Sequence, residues 1–429
     1  MATHTQQWIL RAFALACFAV LATHQFFAFS LIYERLRWPE NQPDSGFSVG
    51  APWPTVTHVA REPAAAGLRP GDRLIAVQGQ PYTGETARAS LFEKLFPGDR
   101  VTVTVVPPGG APHDIAWPLA AIASTEDLLG RILILIVLAL ALPVLCLGLG
   151  FWTVFVRPLD RQAWLLLGML VTFAHTIVQP AYFKASLGAL GHFLQDCHWM
   201  LTASWGLCMF LFAWYFPQQT PWQRANRNLL RLLTATLSIA AALGALRHIA
   251  LDHGWAPLVN GLQPYAVIVE VLQMAAISGF FALLTYKRLT LSSTEAVRRL
   301  RIILLGALWS LTPVFLLVII SYLFRRPLGS FPEWLLLPAL LAMGLFPVTL
   351  AYVIIVHRAF AIGVVIRQGL RYALAQRAVR ILQMLLSIGI LLAAVLLASQ
   401  PGLNRARIIQ TAAFGAALVL LLQRVGEKL

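Results

Sequence analysis

The sequence predicts a polytopic α-helical membrane protein of about ten transmembrane helices that carries one small α+β domain outside the membrane. Three observations predict it. Hydrophobic residues make up 58% of the 429 and charged residues only 12%, with a mean hydropathy of +0.71. A soluble domain carries about 25% charged residues. Ten apolar runs of about 16 to 29 residues are each near or above the length of a bilayer helix. Between the first and second runs, residues 46–120 alternate apolar and polar positions between turn signals, as strands do.

The first run, Ile9–Tyr33, has no Lys or Arg among the nine residues before Leu10 and no small-x-small cleavage site before Glu34. It reads as an uncleaved signal anchor within residues 1–34. In the domain that follows, Pro63 and the alanines start a helical turn that Gly67 ends at positive φ. Leu68 points inward, and Pro70-Gly71-Asp72 is a tight turn. Leu74, Ile75, Ala76 and Val77 form a buried strand, and Gly79-Gln80-Pro81 turns out of it. The full set of expected strands is Phe47–Val49, Thr55–Val59, Arg73–Gln78, Val101–Val106 and Asp114–Trp117, with a main helix over Thr86–Leu95.

The stretch PAAAGLRPGDRLIAVQGQP, Pro63 to Pro81, resembles the signature of bacterial PDZ domains, which are peptide-binding modules. The resemblance implies a PDZ-like fold over residues 46–120. It also implies a groove in which Gly46, Phe47, Ser48 and Val49 supply a carboxylate-binding loop and a strand edge, with Leu91 on the facing helix. Gly46-Phe47-Ser48-Val49-Gly50 also fits the G-x-S-x-G pattern of hydrolase nucleophiles. That pattern needs a strand, a sharp turn and then a helix, and Ala51-Pro52-Trp53-Pro54 cannot start one.

Nine further runs form a bundle over residues 128–423, followed by a tail at 424–429. They are Leu128–Val156, Ala163–Phe183, Cys197–Phe216, Asn228–Leu251, Pro264–Tyr286, Ile302–Leu323, Trp334–Val356, Ile381–Ser399 and Ile408–Gln423. With the α+β domain outside, the inner loops carry fifteen Lys and Arg and the short outer loops five. This is the bias of the positive-inside rule, and it puts both termini in the cytoplasm of a bacterial inner membrane. Arg35 and Arg37, just outside the first helix, run against it. The net charge of +15 is thereby assigned to anionic lipid and not to nucleic acid. The basic segment His357–Arg380, with Ile362, Val365, Ile366 and Leu370 interspersed, fits a helix lying on the inner leaflet or a plain topological anchor.

One helix, an outer PDZ-like domain and a polytopic bundle are similar to the sensor half of certain bacterial histidine kinases, including the competence pheromone sensor, and of sporulation-type serine phosphatases. The matching pieces are Leu211-Phe212-Ala213-Trp214-Tyr215-Phe216-Pro217, Arg298-Arg299-Leu300-Arg301, and Phe346-Pro347-Val348-Thr349-Leu350-Ala351-Tyr352 with His357-Arg358. The resemblance implies a signal-input module, possible as a homodimer, that relays an extracytoplasmic peptide or small ligand to a cytoplasmic signalling domain or protein. This sequence shows no phospho-acceptor helix, ATP-binding glycine box or phosphatase aspartates, so the expected output lies outside it.

Glu270 in the sixth helix is costly in lipid unless paired, which marks it as a candidate site. Arg247, His248 and His175 are expected to share one outward-opening cavity with it, as a ligand site or as an interhelical hydrogen-bond bridge. His192, Asp196, Cys197 and His198 are metal-ligand types, but their spacing matches no metal signature and no metal or other cofactor is expected. Cys17, Cys146, Cys197 and Cys208 lie in or beside apolar runs and read as packing residues. No H-E-x-x-H and no Walker A motif is present, so an intramembrane zinc protease or an ATPase has no support and no catalytic set is expected. A transporter or permease component is the alternative; it predicts discontinuous helices and related halves, and the sequence shows neither.

Overall fold

The structure is a computed structural model that describes residues 2–37, 42–50, 52–121, 134–177, 187–324 and 331–355. The basic segment His357–Arg380, the runs Ile381–Ser399 and Ile408–Gln423 and the tail lie outside the described residues. The chain forms two compact units. One comprises Met1–Thr125 with Trp164–Thr290, the other Glu126–Ala163 with Leu291–Leu429.

The first unit begins with helix α1 (Ala2–Arg37) and continues into a sheet domain. Its strands are β1 (Pro43–Asp44), β2 (Phe47–Gly50), β3 (Thr55–Val59), β4 (Arg73–Val77), β5 (Gln80–Pro81), β6 (Arg100–Val106), β7 (His113–Pro118) and β8 (Ala120–Ala121). The main sheet runs β2-β3-β4-β6-β7 with β5 on β4, all antiparallel, and β1 pairs with β8. Helices α2 (Arg61–Ala65) and α3 (Glu85–Phe92) complete it. The longer strands alternate as expected: Val101, Val103 and Val105 on β6 are fully buried, and Ile115 and Trp117 on β7 nearly so. With Leu68, Leu74 and Val77 they make one core. At about 25 cal/mol per Å² such burial is what stabilises a small domain of this kind. The expectation of four consecutive buried residues in β4 is corrected. Leu74 and Val77 are 1% exposed but Ile75 is 39% exposed, because the strand has a core on one face only.

The helical part of the first unit contains α5 (Arg161–Ile177), α6 (Ala189–Ala203), α7 (Trp205–Tyr215), α8 (Pro221–Ala225), α9 (Arg227–Asp252), α10 (Ala256–Leu262) and α11 (Ala266–Thr290). The label α4 belongs to Leu142–Val156 of the second unit, entered through a π-helical stretch Ile134–Ala141. That unit continues with α12 (Thr294–Phe324), α13 (Glu333–Met343) and α14 (Leu345–Ile355). Its α12 and α14 approach closely: a Cβ on Gly306 would collide with the Thr349 side chain. Small residues at membrane-helix contacts permit this approach.

Six helices among the described residues are long and apolar enough to cross a membrane, or seven if one bent pair counts as a single span. Eight of the ten predicted runs fall wholly or partly there. The difference has two sources. The run Ala163–Phe183 is described as helix only through Ile177, which is 17 residues. The run Cys197–Phe216 lies on α6 and α7, which meet at Ser204 with a bend of 46°. A broken helix is therefore present, contrary to the sequence expectation. Gln273 of α11 donates its side-chain N–H to the Ala203 carbonyl at the break, and a Cβ on Gly206 would meet the same glutamine. This satisfies a carbonyl that the interrupted helix ladder leaves open.

Candidate functional site

Two places concentrate polar groups, both in the first unit. The first is the space between edge strand β2 and helix α3. Arg88 of α3 reaches across it: Nη1 donates to Ser45 Oγ at 2.9 Å, and the guanidinium lies 5.2 Å from the Phe47 ring centroid and 5.8 Å from that of Phe92. Glu85, only 7% exposed, accepts from Arg88 Nε at 2.8 Å and from the Tyr82 hydroxyl at 2.6 Å. Such a network is stable in a half-buried place because each charge is met by several partners.

The five residues expected to line a groove distribute unevenly. Phe47 is buried and Leu91 half-buried against the core, so both help build the sheet domain. Val49 packs at once on that core and on a cluster of Trp53, Ala250 and Val259. Gly46 N–H donates to Asp44 Oδ1 at 2.9 Å, so this loop amide already has a carboxylate from its own chain. Ser48 is exposed on β2, opposite His58 of β3. The element after β2 is strand β3 and not a helix, so the nucleophile-elbow geometry is absent around Ser48.

The second place lies among the helices. His24 of α1, His175 of α5 and His198 of α6 are each 2% exposed. Their ring centroids are 4.6 Å apart for His24–His175, 5.8 Å for His24–His198 and 6.4 Å for His175–His198. His175 Nδ1 bonds the Val171 carbonyl at 2.7 Å, which fixes its tautomer with the proton on Nδ1. Among the described residues, neither its Nε2 nor either ring nitrogen of His198 has a hydrogen-bond partner. Next to them His248 of α9 stacks on Trp199 at 4.3 Å, and Trp199 donates its indole N–H to Asp252 Oδ2 at 2.5 Å.

The expected cavity shared by Glu270, Arg247, His248 and His175 is corrected on one member. His175 and His248 lie on either side of the His198–Trp199 pair and Arg247 is half-buried on α9, but Glu270 is exposed beside the exposed Val267, Ile268 and Val271. Val269 in the same turn is half-buried against Gly244 of α9, so it is the face carrying Val267, Ile268, Glu270 and Val271 that stands exposed. The His192–His198 group divides as well. His198 faces inward, whereas Asp196 pairs with His253 at 3.1 Å and His192 stacks on His253 at 5.4 Å. No group of three or more His, Cys, Asp or Glu among the described residues is arranged to hold a metal ion. Sequence reasoning missed His24; its signal was an imidazole in the middle of an apolar run.

A third polar feature is Lys287 of α11, fully buried, whose Nζ donates to the carbonyls of Trp214 at 2.7 Å and Phe216 at 2.8 Å. Gln223 adds a bond to the Trp214 carbonyl at 3.3 Å, and Thr220 and Gln223 form a capping box on α8. Lys287 is thus a cation on the C-terminal end of α7, where orphan carbonyls and the helix dipole favour it. It is one of the fifteen cations counted to the inner loops, and the structure places it on α11 with its side chain buried. Compared with known protein families, with characterised proteins and with solved structures, the chain matches none.

Proposed function

We propose that this chain is the signal-input module of a membrane sensor. The sheet domain is read as PDZ-like and extracytoplasmic. It takes an extended peptide or a small ligand along β2 and α3, and the helices pass the difference to a cytoplasmic kinase or phosphatase output. The full architecture in this reading has ten crossings with both termini inside. The observation that carries it is an edge strand with a helix tied beside it: β2 ends the sheet, and α3 is linked to a residue just before the strand through Arg88 and Ser45. An edge strand offers backbone N–H and C=O groups to an added strand, and a flanking helix offers side-chain selectivity.

The test is binding of a C-terminal peptide library to the purified full chain, with Ser48→Pro as control. Proline removes a backbone donor from β2 and projects its ring at the edge. Selected peptides are expected to lose at least about tenfold in affinity, the equivalent of one or two strand hydrogen bonds. If no peptide binds, or if the proline variant binds equally well, the groove is not the input site. Reporter fusions after Gly79 and at residue 429 test the topology; both on one side of the membrane would overturn the relay.

A second reading, a transporter or permease component, is favoured by the break at Ser204. Discontinuous helices line substrate sites in transporters, and three buried imidazoles lie on neighbouring elements of the same unit. Solute uptake into proteoliposomes that is lost in His198→Ala would favour it over the sensor.

A further inference from the structure

At the turn between α9 and α10, residues 252–255, the sheet domain and the helices of the first unit meet backbone to backbone. Gly84, the residue before α3, has φ +140°, and a Cβ there would sit 2.8 Å from Gly254 N and against the Asp252 carbonyl oxygen. Gly254 has φ +68°, and a Cβ there would strike the Thr83 carbonyl oxygen. Both backbones come together because both residues lack a side chain. One further turn along, Trp53 N–H donates to Asn260 Oδ1 at 2.8 Å, and the Trp53 indole is buried on Ala250 and Val259.

The same turn is tied on its other side to the bundle. Asp252 accepts from Trp199 of α6, and His253 bonds Asp196 of α6 at 3.1 Å. From Trp53 the contacts run to Tyr82, with rings 5.1 Å apart, then through the Tyr82 hydroxyl to Glu85 and on to Arg88 and Ser45. Every step is a packed ring or a hydrogen bond, and none depends on the chain tethers at either end of the sheet domain.

We infer that the α9–α10 turn is a clamp on the N-terminal end of α3, so that the spacing of α3 from β2 and the positions of α6 and α9 change together. The clamp rests on the groove reading only for its purpose; the mechanical link stands without any ligand. In a bundle crossing lipid, coupling by direct contact gives the sheet domain a route to two helices at once. Linkage requires the effect to run both ways.

Hydrogen exchange of the full chain in lipid nanodiscs tests this without a ligand. Asn260→Ala and Gly254→Ala are expected to speed exchange over residues 84–92 by about fivefold, near the effect of one lost buried hydrogen bond. Strands 100–106 and 113–118 should keep their wild-type protection. Arg88→Ala, in the middle of α3 and facing Ser45, should speed exchange over residues 245–254. Unchanged exchange at 84–92 in the milder Asn260→Ala variant overturns the clamp. So does a rise that includes 100–106, which would mean general loosening, or an absent response at 245–254 in Arg88→Ala. If these shifts appear while no peptide binds the groove, the clamp stands and the peptide reading falls.

Discussion

The Glu85–Arg88 pair of the sheet domain and His198 among the helices of the first unit are met by their surroundings in opposite ways. In the sheet domain Glu85 is buried and Arg88 half-buried, and each has several partners within 2.9 Å. Among the helices His198 is 2% exposed and neither of its ring nitrogens has a hydrogen-bond partner among the described residues. Lys287, fully buried, has two carbonyl acceptors. The contrast separates structural from unspent polarity. A buried polar group with all its bonds made contributes to the fold, whereas one with bonds unmade costs stability and is kept for another reason.

Substitutions sharpen that contrast, in order of expected size. Trp117→Ala in the sheet-domain core, 2% exposed, should cost about 3–5 kcal/mol and unfold that domain first, read by limited proteolysis of the full chain. Lys287→Met removes both carbonyl bonds at the end of α7 and should cost about 2–4 kcal/mol. Thermal unfolding in detergent measures it. His198→Leu should be within about 1 kcal/mol of wild type or stabilising, because no hydrogen bond is lost. A large loss there would break the contrast and show that the imidazole is bonded after all. Glu270→Gln, on the exposed start of α11, should leave stability unchanged within about 0.5 kcal/mol and leave the His24–His175–His198 group untouched.

The sheet domain was the legible part. Alternation over Arg100–Val106 and His113–Pro118, and turn residues such as Gly67 and Gly71, located its strands to within a residue or two. Ile75 was misread as buried, because a short apolar run looks the same whether one or both faces are covered, and Phe47 was expected in a groove although it belongs to the core. The helices were legible as elements but not as faces. Runs that are apolar all round carry no periodic signal for which side packs inward. Hence Glu270 was expected in a cavity it does not enter, and His24 was not connected to His175. The break at Ser204 was hidden for a related reason: hydropathy continues across it, and the pairing of Gln273 with the Ala203 carbonyl joins residues far apart in the chain.

Composition and local pattern alone determined that this chain carries several helices long and apolar enough to cross a membrane and that one segment folds as a small antiparallel sheet with a helix beside it. These follow from properties that each residue or each short window carries by itself. Only the tertiary structure decided that Gly84 meets Gly254, that three histidines from three helices gather in one place, and that Lys287 closes the end of α7. Such contacts depend on how distant elements pack, and no window short enough to read locally contains both partners.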